Sequence, residues 1–171
     1  MSLAVKLYVF LLIAIDIGLC SACNGHKIRV VRIENCGNSE QVMKVDTNFT
    51  ISLTRECEIV IKGCGETTGF RTAKAKYTLY RNSNRIISGT YDVCDTFNSK
   101  GMENDILRSF NMSASCPIKK MRTCSDGTQT INVAKYKPIW PYAIGNLDVN
   151  IRINHDSGNS CMHYTAIVSK E

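Results

Sequence analysis

The sequence predicts an all-β protein built as two packed antiparallel sheets. Two observations carry that reading: period-two alternation in several segments and turn residues between them. Residues 43–54 alternate throughout. Met43, Val45, Thr47, Phe49, Ile51 and Leu53 fall on one side, with Lys44, Asp46, Asn48, Thr50, Ser52 and Thr54 on the other. Strict alternation marks a half-buried strand, because successive side chains point to opposite faces. Asn48 opens the glycosylation triplet Asn48-Phe-Thr50 and falls on the polar side, where a glycan must be.

The pattern recurs along the chain. Ala73, Ala75, Tyr77 and Leu79 alternate with Lys74, Lys76 and Thr78. Ile87, Gly89, Tyr91 and Val93 alternate with Ser88, Thr90 and Asp92. Leu147, Val149, Ile151 and Ile153 alternate with Asp148, Asn150, Arg152 and Asn154. Met162, Tyr164, Ala166 and Val168 form a last, less strict set around His163 and Thr165. Weaker strands are expected at 27–33, 58–62 and 128–135. Turn chemistry separates the strands at Arg81-Asn-Ser-Asn84, Asp126-Gly127 and Asp156-Ser-Gly-Asn159. Short strands with one apolar and one polar face bury the apolar one by stacking two sheets. One helix is expected after Gly101, where Met102, Ile106 and Phe110 stand four apart with Leu107 beside them.

Composition narrows the class. The hydrophobic fraction is 44% and the charged fraction 21%, ordinary for a folded domain, so disorder is excluded. The length of 171 residues suits one domain. The net charge of +6 favours an anionic partner but does not by itself imply nucleic acid. The basic residues are spread out, as at Lys74, Lys76, Arg81, Arg85, Lys119, Lys120 and Arg122, without an aromatic platform between them.

Residues 1–22 read as a signal peptide. Lys6 precedes the apolar run Leu7-Tyr-Val-Phe-Leu-Leu-Ile-Ala-Ile15, and Cys20-Ser-Ala22 supplies a small-residue exit. Cleavage after Ala22 leaves a single domain over 23–171. It also removes Cys20, so eight of the nine cysteines remain: Cys23, Cys36, Cys57, Cys64, Cys94, Cys116, Cys124 and Cys161. An even number in an oxidising, extracellular compartment implies four disulfides. A second glycosylation triplet starts at Asn111.

Catalytic signatures are absent from the sequence. His26, His155 and His163 have no ligand spacing to one another or to cysteine. There is no Gly-x-Ser-x-Gly elbow, no phosphate-cradling glycine loop and no His-Glu-x-x-His. The expectation is a protein that is not an enzyme, with no metal and no cofactor. One segment resists a plain packing account. Tyr136-Lys-Pro-Ile-Trp-Pro-Tyr-Ala-Ile144 holds two prolines, which exclude a central strand, yet it is strongly apolar. Such a loop covers a core, rims a pocket or touches another apolar phase.

Several stretches together resemble the ML lipid-recognition proteins across nearly the whole mature chain. Ile33-Glu-Asn-Cys36 is similar to their opening cysteine, and Asn159-Ser-Cys161-Met-His-Tyr-Thr-Ala to their closing strand. Gly89-Thr-Tyr-Asp-Val-Cys94-Asp, the expected helix and Ser115-Cys116-Pro117 resemble the central block of the ganglioside-activator branch and its secreted insect relatives. Pro141-Tyr-Ala-Ile-Gly145-Asn-Leu-Asp-Val resembles that branch's entry into the penultimate strand. Leu147 stands where the branch often has an aromatic residue, and Cys57 and Cys64 lie earlier than its local pair.

The resemblance implies an immunoglobulin-like sandwich whose sheets splay to leave an internal apolar cavity. It implies a secreted protein that shields, transfers or presents a lipid or other apolar small molecule. An acyl chain hidden there gains about 0.8 kcal/mol per buried methylene. The expected lining is Phe49, Ile51, Tyr77, Leu79, Tyr91, Val93, Val149, Ile151 and Tyr164. The expected mouth is Ile106, Phe110, Ile139, Trp140 and Tyr142. The resemblance also implies the pairs Cys36–Cys161 and Cys94–Cys116. The other four cysteines leave two pairings open. One is Cys57–Cys64 with Cys23–Cys124. The other is Cys23–Cys57, which would copy the vertebrate lipopolysaccharide co-receptor branch and leave Cys64–Cys124. Expected partners are the lipid and an anionic membrane surface or a receptor, with no nucleic acid, for a monomeric protein. The competing readings are a ligand-free protein that binds a receptor through its surface, and a small secreted hydrolase.

Overall fold

A computed structural model describes residues 23–97, 105, 108 and 115–170. Residues 1–22, the expected signal peptide, lie outside them. Nine antiparallel strands carry the chain: β1 (His26–Asn35), β2 (Met43–Val45), β3 (Thr50–Leu53), β4 (Glu58–Thr67), β5 (Ala73–Arg81), β6 (Asn84–Asp92), β7 (Met121–Asn132), β8 (Gly145–His155) and β9 (Gly158–Lys170). The described residues also form one-turn helices α1 (Val93–Thr96) and α2 (Trp140–Ala143) and 3-10 segments over Cys23–Gly25 and Ala134–Ile139. The protein is all-β, as predicted.

Two layers are evident from pairing and packing. One runs β1-β9-β8-β5-β6. In the other, β4 pairs with β7 on one side and with β2 and β3 on the other. The layers are not separate, because β3 also pairs with β1 at Arg29 and Ser52. Two cores lie between them. The first gathers Phe49, Cys57, Ile61, Ile131, Val133, Trp140 and Val168. The second gathers Val42, Phe70, Ala73, Ala75, Phe97, Ile118, Ile153 and Met162.

Several predicted elements need correction. The strand expected over 43–54 is broken between β2 and β3, where Phe49 N–H donates to the Asp46 carbonyl in a turn. Val45 faces Gly65 and Thr50 faces Lys62, so four residues oppose two. Asp126-Gly127 is not a turn but a bulge inside β7, where Gly127 has φ +87 and lies over Val60 and Lys62. The strand expected at 128–135 begins earlier, at Met121, and ends at Asn132. Val93 leaves the strand pattern and opens α1, because the Asp92 carboxylate accepts the Cys94 and Asp95 N–H groups as an N-cap. The expected helix on Met102, Ile106 and Phe110 lies outside the described residues, although Asp105 and Arg108 are helical. Two short helices therefore stand where none was expected. The apolar segment over 136–144 forms the 3-10 segment and α2 rather than an extended loop.

The turns at 81–84 and 156–159 are as predicted. Asn82 and Ser83 have φ of 48 and 66, the left-handed pair that a two-residue hairpin needs. The β8–β9 turn is tied to the start of β5. Asp156 accepts the Arg71 backbone N–H at 2.9 Å, Arg71 Nε at 3.0 Å and the Thr72 N–H at 3.2 Å. The backbone bonds and then the guanidinium hold its carboxyl down from 3.8 to about 2. A depressed carboxyl stabilises the fold fully above its ordinary value and loses that contribution as pH falls through the folded value. Stability is therefore expected to fall between 3.8 and about 2 from this group. Asp156→Asn is expected to flatten that step in urea midpoints measured across the window. An unchanged step would assign it to other carboxyls.

Four disulfides close the molecule: Cys23–Cys57, Cys36–Cys161, Cys64–Cys124 and Cys94–Cys116. Both implied pairs are present. Of the open alternatives, Cys23–Cys57 with Cys64–Cys124 is the one found. Cys64 sits directly opposite Cys124 across β4 and β7, so a local link to Cys57 is not formed. Such a set belongs to a secreted, extracellular protein.

Candidate functional site

Register places six of the nine predicted lining residues, Tyr77, Leu79, Tyr91, Val149, Ile151 and Tyr164, on one face of the five-stranded layer. Directly paired residues share a face. One row runs Ile33, Tyr164, Val149, Leu79 and Ile87 across β1, β9, β8, β5 and β6. The next runs Met162, Ile151, Tyr77 and Gly89. A third runs Ser160, Ile153, Ala75 and Tyr91. The period-two pattern thus resolves into a two-dimensional apolar surface.

This surface is unevenly covered. Ile33 and Leu147 pack on the first core. Ile151, Tyr91, Val93 and Tyr164 pack on the second. Between the two cores lie Tyr77, Leu79 and Val149, each only partly buried. None of these three packs against a buried core residue among the described residues. Ile87, at the end of the row, is 49% exposed. An inward apolar strip is therefore incompletely covered by the described residues. Gly89 gives room to Tyr77, since a Cβ there would stand 2.8 Å from the Tyr77 hydroxyl.

Other predicted lining and mouth residues are placed differently. Phe49 is packed in the first core, where Gly63 (φ +131) approaches its backbone too closely for any Cβ. Ile51 packs against the same core. Trp140 is 8% exposed and lies with Cys23, Cys57 and Val133, its ring 6.2 Å from that of His26. It is core and not mouth. Tyr142 is 74% exposed at the surface. Ile106 and Phe110, like the Ile139 side chain, lie outside the described residues. Asn48 is exposed in the β2–β3 turn, accessible to a glycan, and Asn111 lies outside the described residues. Ile87 was not predicted as lining. The signal for it was present, since it alternates with Gly89 and Tyr91.

Electrostatics mark one residue of the strip. Tyr164 donates its hydroxyl to Met162 Sδ at 3.2 Å. Burial of the phenol, and secondarily Tyr91, pushes it up to about 12. It is a neutral donor through the whole physiological range. Elsewhere, His155 Nε2 lies 3.0 Å from Ser160 Oγ, a pair that invites a catalytic reading. Ser160 is 3% exposed and its oxygen also accepts the Met43 N–H, so no substrate carbonyl reaches it. His155 Nδ1 has no hydrogen-bond partner, so no carboxylate orients the ring. Burial lowers the His155 pKa, which keeps the ring neutral. Among the described residues, no group of three His, Cys, Asp or Glu side chains could hold a metal.

Two open hollows, of about 350 and 510 Å³, lie at the β8–β9 turn. They are bordered by groups such as Lys74, Asp92 and His155, and by Arg71, Lys119 and Lys120. Neither contains a predicted lining residue, and neither is the enclosed apolar cavity expected from the resemblance.

Comparison with known proteins gives one informative match. The chain is similar to a mosquito saliva protein. Sporozoite-associated mosquito saliva protein 1 of Anopheles gambiae is 29% identical over 144 residues, which is 82% of this chain and 80% of that protein. No family model matches the chain. The similarity spans the domain rather than a local motif, and it accords with the extracellular disulfide set.

Proposed function

We propose that this protein is a secreted, non-enzymatic carrier that shields or presents a lipid or other apolar molecule between its two sheets, as in the ML lipid-recognition family. The observation that carries the reading is the inward strip of Tyr77, Leu79 and Val149, apolar yet unsupported by either core. Well-packed interiors leave few such gaps, so an apolar occupant is the natural complement. The Cys23–Cys57 disulfide, the one that resembles the lipopolysaccharide co-receptor branch, supports the same reading. Saliva, named for the similar Anopheles gambiae protein, is a fluid in which a lipid carrier would be useful.

A membrane contact fits the surface near the β5–β6 hairpin. Ile86, Tyr142 and Ile144 are exposed there, with Arg85 beside them. Arg81 donates to the Tyr142 carbonyl, and Asn82 N–H donates to the Asn146 carbonyl at 2.8 Å, so hairpin and loop present one surface. Such a surface supports docking on an anionic membrane from which a lipid is taken.

Leu79→Glu tests the carrier reading. It is expected to abolish uptake of a fluorescent fatty acid by delipidated protein. Its stability cost is expected to stay at about 1–3 kcal/mol, because Leu79 packs against neither core and the new carboxylate, on a partly exposed side chain, keeps contact with water in the ligand-free protein. Unfolding of the variant would make Leu79 core. Unaltered uptake would remove the strip as lining. Native mass spectrometry of protein from its own tissue, if it shows no bound lipid, would favour the ligand-free receptor-binding reading.

A further inference from the structure

We infer that the Tyr164 hydroxyl is the polar anchor of the strip, and that the ligand is a neutral lipid whose ester, amide or hydroxyl oxygen is held inside rather than a lipid anchored by a buried carboxylate. This inference rests on the carrier reading.

The first support is position. Tyr164 pairs with Val149 on β8 and with Ile33 on β1, so its ring stands in the row that ends at Leu79 and Ile87. It lies where the second core gives way to the uncovered strip. The second support is chemistry. A phenol in an apolar setting normally finds a good acceptor. Here the partner is the Met162 thioether, a weak one. Exchanging that bond for one to a ligand oxygen gains strength at small loss. The phenol's raised pKa keeps it a donor, so the complementary ligand atom is an acceptor.

The third support is what surrounds it. The inward positions of the three rows are uncharged, and the nearest cation on the same face is Arg81, one inward position beyond Leu79, where it faces Leu147 and donates to the Tyr142 carbonyl. Lys74, Lys76 and Arg152 alternate onto the opposite face. A carboxylate held at Tyr164 would have no cation beside it to compensate its lost hydration, because Arg81 lies two strands away on β5 and is bonded to the Tyr142 carbonyl. An ester or alcohol oxygen needs only one donor, which Tyr164 supplies.

Displacement of the apolar dye N-phenylnaphthylamine by methyl palmitate, hexadecane and ionised palmitate tests the inference. Wild-type protein is expected to bind methyl palmitate more tightly than hexadecane. Tyr164→Phe is expected to lose affinity for the ester by about three- to tenfold and leave hexadecane unchanged, the scale of one neutral hydrogen bond. Met162→Leu removes the internal acceptor and is expected to keep the preference for the ester. Equal loss for ester and alkane in Tyr164→Phe, or no loss for either, would overturn the anchor while the carrier reading stands. Tighter wild-type binding of ionised palmitate than of its ester would overturn the neutral-lipid assignment. A wild type that takes up neither dye nor lipid would overturn the carrier reading and the anchor together.

Discussion

Serine in place of both Cys23 and Cys57 is expected to leave the protein unfolded at body temperature. The two cysteines are 0% exposed and lie inside the first core. Their bond closes a loop with a sequence separation of 34, worth about 3–4 kcal/mol in lost freedom of the unfolded chain. Two buried hydroxyls would then replace sulfur in apolar surroundings, at about 1–3 kcal/mol for each one left unpaired. The sum reaches a large part of the roughly 5–15 kcal/mol by which domains are stable. Alanine at both positions avoids the hydroxyl cost. The alanine pair is therefore expected to unfold at a higher urea concentration than the serine pair. Equal midpoints would show that the hydroxyls are accommodated and that chain closure alone matters. A serine pair as stable as wild type would contradict the placement of this disulfide in the core.

Trp140→Ala is expected to cost about 3–5 kcal/mol, the range for removing a large buried aromatic. Trp140 packs against the Cys23–Cys57 disulfide, Val133 and Val168. Its removal opens a hole where three elements meet: the 3-10 turn Cys23–Gly25, the segment after β7, and the end of β9. Trp140→Phe keeps most of the ring and is expected to cost less than half as much. It also removes an indole Nε1 that is buried without a hydrogen-bond partner. Urea unfolding followed by circular dichroism checks both, since the sole tryptophan is the one removed. A Trp140→Ala protein of normal stability but weakened lipid transfer would return Trp140 to the mouth of the ligand site.

Much of the architecture was legible because alternation is a local signal. Residues of β5, β8 and β9 repeat with period two, and their inward sets meet in register as the strip. The break between β2 and β3 was hidden for a specific reason. Four residues oppose two there, so the excess is two. An even excess preserves the parity of the alternation, and the sequence reads as one strand. The bulge at Asp126-Gly127 misled in the opposite sense. The left-handed backbone at Gly127 is equally at home in a turn, so composition alone does not separate the two.

The candidate site was legible in its strands and not in its loop. Tyr77, Leu79, Val149, Ile151 and Tyr164 are held by periodicity. Trp140 and Tyr142 sit two residues apart in a segment without a usable period, and one is 8% and the other 74% exposed. Nothing local distinguishes them. The disulfide partners were undecided for a similar reason. Cys64 meets Cys124 only because β4 pairs with β7, a long-range choice that spacing does not encode.

The shared pairing of β3 gives the molecule a spine. β3 bonds to β1 of one layer and to β4 of the other, whereas β6 and β7 end their layers without pairing to each other. The two layers are therefore bound like the covers of a book. Any widening of the interior pivots about the β1–β3 side, and because the Cys94–Cys116 disulfide ties the Asp92 end of β6 to the segment ahead of β7, the gap opens on the β6–β7 side toward the β5–β6 hairpin. Ile87 and Gly89 lie on that fore-edge, and Tyr164 lies nearer the spine. A long apolar molecule entering from the free side would pass the exposed end of the row first, with its leading end reaching the phenol last. Exchange of backbone amides should follow the same gradient, slow along the spine and faster toward β6.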